Sequence, residues 1–430
     1  MRLLIAKCRR YNIGDYLAIV CRLSWRFGGH MTGAYQDYLT KAEIIAREKD
    51  SRKAEARWDE LFAERQAKAE GLPLADTDGK AFWFVITPHL IGLISKIARH
   101  RGFLESVSLS PQVRKRLEKR AADLEAYFSS HIEGARSTLE EALAFMKTGK
   151  KRSKDESLQM IVNNRLALDA AAKHIGKPVN DEFICQLQSI LTENTHRERP
   201  ITRGEYRHGP IYVVNAMRQV VYEGPPAKMV PGMMRKFIAW LNAEQGLDPI
   251  LKAGIAHLYF VQVHPFDDGN GRTARALSNL VLANAGLRLI NMLALSDYFD
   301  HKRPQYYRAI QDCRLHGRDM TYFLIFYAEA LLEKIEEVQK EIEVEHRIDN
   351  IKDLLPSDVY RRLHRRQIKA LRLMFRSDEK MTTKLYCRLN KCSDETARTD
   401  FLSLVELNVI VPDGKGRSSG YVLSPKVIGR

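Results

Sequence analysis

Apolar positions recur along most of the chain at helical spacing. Leu117, Ala121, Leu124 and Phe128, separated by four, three and four residues, lay one apolar stripe along a helix. Ser110-Pro111 supplies its start, with serine as N-cap and proline in the first turn. Ser137 and Glu140 read as a capping box that opens the next helix. Lys41–Ala69 is charge-rich with good helix formers and predicts a solvated helix, while Gly71–Gly79, with Pro73, Asp76 and Asp78, predicts a linker. From Phe82 to Ile97 the chain is mostly apolar, and further helices are expected up to about Lys340.

Two stretches alone read as β structure. In Pro210–Tyr222, Ile211-Tyr212-Val213-Val214 and Val220-Val221-Tyr222 flank a polar turn, which is a hairpin pattern. The other is Val409–Leu423. A charged helix, Glu333–Arg347, separates the middle of the chain from its last part. There the order is helix (Gln367–Arg376), helix (Thr382–Leu389), helix (Asp394–Leu407), strand, turn and strand. Ser393 or Asp394 caps the third helix, and Gly414-Lys415-Gly416-Arg417 makes the turn. The order predicts a winged helix-turn-helix with Asp394–Glu406 as recognition helix and Lys415–Arg417 as wing tip. The fold class is therefore mostly α.

Length changes the picture next. At 430 residues the chain is about three times an ordinary domain of roughly 150, so two or more domains are expected. The divisions expected are a charged helical N-terminal extension (1–80), a helical region (81–160), a core region (161–345) and the winged unit (346–430). No apolar run reaches the roughly 18 residues that cross a bilayer. Arg288 and Asn291 break Leu277–Leu295, and Glu329 breaks Tyr322–Leu332. Within Met1–His30, Asn12–Asp15 and Cys21-Arg22 break the apolar run a secretory signal needs; a basic surface helix, or a true start at Met31, are the readings left. The six cysteines are scattered and read as reduced thiols, which implies a cytoplasmic protein.

Lysine and arginine number 69 against 53 acids, a net charge of +16, which points to phosphate-bearing partners. The residues for such a partner lie in one stretch, His264-Pro265-Phe266-Asp267-Asp268-Gly269-Asn270-Gly271-Arg272-Thr273-Ala274-Arg275. An apolar helix, Leu251 to Val263, ends there because Pro265 pushes its predecessor out of the α region, so His264 sits at a helix exit. Phe266 is the loop's one large apolar side chain and is expected to plug into the core. Gly269-Asn270-Gly271 can turn successive N–H groups inward as an anion nest, opening onto a helix from Arg272 to Ala285 whose N-terminus also favours phosphate. Arg272 and Arg275, three apart, share a helix face and suit a polyphosphate. Asp268 is placed to hold Mg²⁺, and His264 can take a proton near neutral pH. Together these describe phosphoryl or nucleotidyl transfer.

The stretch resembles the signature of the Fic (filamentation-induced-by-cyclic-AMP) family, HPFxDGNGRxxR, and matches it at every fixed position. The resemblance implies an enzyme that moves AMP from ATP to a Ser, Thr or Tyr hydroxyl of a target protein. His264 would be the base and Asp268 would bind Mg²⁺. Gly269, Asn270 and Gly271 would hold the α-phosphate region, with Arg272 and Arg275 on the outer phosphates. The related Doc toxins, which phosphorylate, usually have lysine where this chain has Gly271, so AMP transfer is the expected chemistry. Gly204-Glu205-Tyr206-Arg207 and the hairpin are similar to the family's target-dock flap, with Ile211, Tyr212, Val213 and Val214 as its strand. Tyr306 and Tyr307 fall where the family lines its adenine pocket. Upstream, Ser129-Ser130-His131-Ile132-Glu133-Gly134 fits the family's inhibitory pattern (S/T)xxxE(G/N), which implies that Glu133 pairs with Arg275 and leaves ATP bound unproductively.

Alternatives stay open at this stage: other transfer from the same site, removal of AMP, or a DNA-binding regulator with a nucleotide-sensing core. For the last, Arg361, Arg362, Arg365 and Arg366 add positive charge, and Thr396, Arg398, Thr399 and Arg417 are the candidate DNA contacts. A protein-docking or dimerisation module is the competing reading of that unit, and a homodimer is left open.

Overall fold

A computed structural model describes residues 38–48, 50–107, 109–195, 201–214, 219–244, 246–349, 351–376, 380–414 and 419–425. The N-terminal segment Met1–His30, the wing tip Lys415–Arg417 and the DNA contact expected of Arg417 lie outside them. The chain divides into two compact units, one of residues up to 106 with 116–335, the other of residues 107–115 with 336–430.

The first unit is helical. In chain order it holds α1 (Lys41–Arg47), α2 (Ser51–Ala67), β1 (Glu70–Ala75), β2 (Ala81–Phe84), α3 (Pro88–Ser106) and α4 (Pro111–Ile132). Then come α5 (Leu139–Lys147), α6 (Glu156–Lys173), α7 (Asp181–Leu191), β3 (Tyr212–Val214), β4 (Val220–Glu223) and α8 (Val230–Asn242). The series closes with α9 (Pro249–Val263), α10 (Asn270–Asn284), α11 (Leu295–His301), α12 (Arg303–Leu315) and α13 (Thr321–Asp349); residues 111–115 of α4 and 336–349 of α13 fall in the second unit. Its core surrounds α9, whose Ile255, Leu258 and Phe260 are fully buried, beside Leu277 of α10 and Phe323 and Ile325 of α13. Among the described residues no helix is long and apolar enough to cross a membrane.

Three expectations need correction. Gly71–Gly79 is no linker: β1 and β2 form an antiparallel hairpin, with Ala75 opposite Ala81. Leu72 and Leu74 point inward at alternate positions, and the Asp76 carboxylate accepts from the N–H groups of Asp78 and Lys80 to close the turn. The glycine and aspartates that read as a flexible stretch are turn residues. The capping box of α5 belongs to Thr138 and Glu141, one residue on from Ser137 and Glu140: the Thr138 side chain accepts from the Glu141 N–H, and the Glu141 side chain from the Thr138 N–H. Glu333–Arg347 is the tail of the 29-residue helix α13, because no glycine or proline interrupts it after Thr321.

The second unit holds α14 (Ile351–Leu354), α15 (Ser357–Arg361), α16 (Arg365–Arg376), α17 (Thr383–Asn390) and α18 (Asp394–Glu406), followed by β5 (Ile410–Asp413) and β6 (Gly420–Leu423). The strands pair antiparallel from Ile410–Leu423 to Asp413–Gly420, and Met381 bridges to Tyr421. Phe401 is the centre of its core, with the rings of Tyr386 and Tyr421 at 4.8 and 4.3 Å. Asp400 is buried in α18 and accepts from His364, Arg366 and Tyr386, which ties α18 to α16 and α17.

Candidate active site

Helix α9 starts on an Asp248 cap with Pro249 in its first turn and ends at His264, which takes the left-handed conformation (φ 49°, ψ 60°). Pro265 cannot continue a helix and disfavours α geometry at its predecessor. A non-glycine residue held there costs on the order of 1 kcal/mol. Four contacts hold the loop. Phe266 is fully buried. The Asn270 side chain brackets the Phe266 backbone, accepting from its N–H at 2.9 Å and donating to its carbonyl at 2.8 Å. Arg207, 2% exposed, donates from Nε to the His264 carbonyl at 2.8 Å, and its own N–H donates to the Pro265 carbonyl. Gln188 donates to the Asp268 carbonyl and accepts from the Gly204 N–H.

The His264 imidazole is part-buried, and its Nδ1 lies 3.3 Å from the Val261 carbonyl. A carbonyl can only accept, so Nδ1 carries the proton and the lone pair is on Nε2. Burial pushes the ring's pKa down to about 4, so it is neutral at physiological pH.

Gly269 supplies the one positive φ of the nest, 85°, and caps α10, which begins at Asn270 rather than Arg272. Asn270 and Gly271 are helical, so the N–H groups presented there are those of a helix first turn. The two arginines are buried and engaged. Arg272 donates to the Leu191 carbonyl at 3.1 Å and to the Asp268 carboxylate at 2.5 Å, while its Nε is buried with no partner among the described residues. Arg275 donates to Ser129 Oγ at 2.8 Å, to the Ser129 carbonyl at 2.9 Å and to Glu133 Oε1 at 2.7 Å.

Glu133 reaches that guanidinium from just past the end of α4, where Gly134 (φ 99°) turns the chain away. It lies over Gly271, where an added Cβ would sit 2.1 Å from Glu133 Oε1. Two residues back, His131 Nδ1 is 2.8 Å from Asp300, and Arg303 donates to the His131 carbonyl and to Asp300. Tyr306 is 2% exposed and stacks on Phe299, whereas Tyr307 is 48% exposed, its hydroxyl 3.4 Å from the Ile132 carbonyl.

Ile211 and the β3–β4 hairpin stand beside this loop. Tyr212 pairs with Glu223, Val213 with Tyr222 and Val214 with Val220, and the sheet has no third strand among the described residues. Tyr212 and Val220 are 50% and 58% exposed. The hairpin is rooted by Tyr222, whose hydroxyl donates to the Gln262 carbonyl, and by Arg207, which donates to the Pro225 carbonyl.

Among the described residues no three His, Cys, Asp or Glu cluster as a metal cage. Asp268 is one carboxylate with 30% of its side chain exposed. That donor set fits Mg²⁺, which commonly takes one or two carboxylates and completes its shell with water and phosphate oxygens.

In the second unit Arg398 and Thr399 are exposed on α18 and Thr396 partly so, beside the exposed Asp394 and Glu395 of the same first turn. Sequence reasoning gave no role to Gln188, His257 or the Arg207 side chain. Buried polar residues leave little signal in one sequence.

Two buried arginines in the first turns of α10 thus lie in the same loop-and-helix segment as a tautomer-fixed histidine. Residues 178–282 match the model of the Fic/DOC family. It is 34% identical over 246 residues to a protein adenylyltransferase Fic of Aedes aegypti, covering 52% of this chain and 46% of that protein. A protein of the same description from Culex quinquefasciatus is 33% identical over 247 residues, with the same coverage of 52% and 46%. The chain therefore spans about half the length of the curated relatives it matches. A Fic family protein of Desulfovibrio desulfuricans G20 shares the fold, with a TM-score of 0.55 at 21% identity over 80% of this chain and 98% of that one.

Proposed function

We propose that the first unit is a protein adenylyltransferase, moving AMP from ATP to a Ser, Thr or Tyr hydroxyl of a target protein, and that Glu133 restrains it. The observation that carries this reading is the tautomer of His264: Nδ1 is spent on Val261, so Nε2 is the atom that takes the hydroxyl proton. The hydroxyl oxygen then bonds to the α-phosphorus, the α–β bridging bond breaks, and pyrophosphate leaves with that electron pair. The first turn of α10, with Gly269, Asn270 and Gly271, faces the α-phosphate, and Asn270 serves by shaping the loop. The buried, unpartnered Nε of Arg272 supports an anion at that place. Asp268 would hold Mg²⁺, which supplies charge neutralisation between the phosphates when bound. Tyr306 and Tyr307 border the adenine.

Glu133 occupies Arg275 in the arrangement described, and the competition is for the same donor that an outer phosphate would use. Removing the carboxylate frees it. Glu133→Gly is expected to raise labelling of the protein by α-³²P-ATP at least tenfold, and His264→Ala in that background to abolish it. Equal labelling of parent and Glu133→Gly would refute the restraint, and labelling without His264 would refute the base.

The β3–β4 edge carries unpaired backbone groups that suit an extended target segment. The second unit we read as a winged helix-turn-helix that binds DNA, a reading its helix–hairpin order and exposed arginines support and its exposed Asp394 and Glu395 oppose. A salt-dependent gel shift with the full chain, weakened by neutralising Arg398, tests it. The free thiols of Cys185, Cys313, Cys387 and Cys392 support a reducing compartment, the cytoplasm.

A further inference from the structure

His257 lies in the middle of α9, fully buried in a box of Phe299, Tyr306, Phe323 and Tyr327 rings. A leucine or phenylalanine would fill that box without a polar atom. Instead the imidazole spends Nε2 on the Tyr306 hydroxyl at 2.8 Å and leaves Nδ1 buried with no partner among the described residues. Such an orphan costs on the order of 1–3 kcal/mol, so the ring needs a reason to be there.

The protons supply one. Arg275 is a donor only, and its Nη1 reaches the Tyr306 oxygen at 3.5 Å. Tyr306 therefore accepts from Arg275 and has its own proton left to give, and Nε2 of His257 is the acceptor in reach. The order is Arg275 to Tyr306 to His257, with the unpartnered Nδ1 carrying the imidazole proton. Burial and the nearby Arg275 charge hold the ring neutral.

We propose that His257 is a positioning residue: by fixing the Tyr306 hydroxyl it keeps the Arg275 guanidinium aimed at the outer phosphates once Glu133 lets go. Of the four groups that Arg275 touches, Glu133 is the one that must leave for nucleotide to bind productively. Ser129 holds Nε and one face of Nη2, so Tyr306 is what remains to hold Nη1. This inference rests on the reading of Arg275 as a ligand of the outer phosphates, and it is tested by binding alone, so it survives if no target is ever labelled.

The experiment uses the full chain carrying Glu133→Gly, with calorimetric affinities for α,β-methylene-ATP and for AMP, each with Mg²⁺. Adding His257→Leu is expected to weaken the ATP analogue roughly tenfold, the worth of one hydrogen bond, and to leave AMP, which lacks outer phosphates, within about twofold. His257→Gln, which keeps an acceptor within reach of Tyr306, should restore most of the loss. Tyr306→Phe should reproduce it, and His257→Leu with Tyr306→Phe should be no weaker than Tyr306→Phe alone. Equal weakening of AMP and the analogue by His257→Leu would make His257 a packing residue and overturn the proposal, as would unchanged affinity for both. Should His257→Leu not fold, Tyr306→Phe decides: unchanged affinity for the analogue overturns the proposal. If the Glu133→Gly protein binds the analogue yet transfers no AMP from ATP itself, the adenylyltransferase reading fails while this one stands.

Discussion

Arg275 donates to Glu133 at 2.7 Å across 142 residues of sequence, and both ends of that contact are prepared for it. Gly271 has no side chain where the carboxylate lies, and Gly134 turns the chain away one residue later. The Arg275 guanidinium is buried, so removing its carboxylate partner leaves that charge less compensated.

Glu133→Gly should therefore lower stability as it raises activity. Glu133 keeps 28% of its side chain exposed, so water screens part of the loss, and about 1–2 kcal/mol is expected, or a few degrees in Tm. Mg²⁺-ATP, binding Arg275 in its place, should restore the lost degrees in a thermal melt. A Tm that falls without recovery at saturating ATP would separate Arg275 from the nucleotide.

Asp300→Ala should loosen the restraint from a distance. Asp300 is the shared acceptor of His131 and Arg303, and His131 sits two residues before Glu133 on the same helix end. Labelling by α-³²P-ATP is expected to rise severalfold, less than for Glu133→Gly, and the double variant should match Glu133→Gly alone. Additive effects would mean that Asp300 acts elsewhere.

Transfer by the Glu133→Gly protein should stay flat from pH 8 down to about 5. On the proposed mechanism His264 works as the neutral ring, and burial lowers its pKa to about 4, so the active form would be lost only as pH falls through that value. Glu133 raises this pKa slightly, and its removal moves the acid limb lower still. An acid limb near 6.5 in the pH–rate profile would place the ring in open water instead.

Asp319 should make the first unit less stable as pH rises. Burial, opposed by hydrogen bonds from Thr321 and Tyr38, pushes its pKa up from 3.8 to about 6. A raised folded value means stability that is complete below about 4 and is lost as pH climbs through 6. The full effect of that shift is about 3 kcal/mol. Urea melts between pH 4 and 7 should show the decline, and Asp319→Asn should flatten it.

Most of the helices could be read from the chain, because they bury one stripe and many start on a capping residue, as α4 and α18 do with Ser110 and Ser393. Boundaries moved where two signals of equal strength competed, as with Ser137 and Thr138. The β1–β2 hairpin was hidden because its strands are short and its turn residues, Asp76 to Gly79, also compose linkers. His264 through Arg275 were visible as a group because a loop between helices packs several demanding residue types together. Their engagement could not be read: that Arg272 is committed to Leu191, or Arg275 to Ser129, depends on chain segments far away. The same holds for His257, whose partner on α12 is 49 residues on.

Arg207 grips the carbonyl of His264 with one nitrogen and the root of the β3–β4 hairpin with another. One guanidinium thus sets the span between the open edge of the hairpin and the His264 imidazole. On the proposed function, a polypeptide that tugs on the hairpin would pull on the proposed base by the same lever, so docking and proton abstraction would share a single mechanical reference.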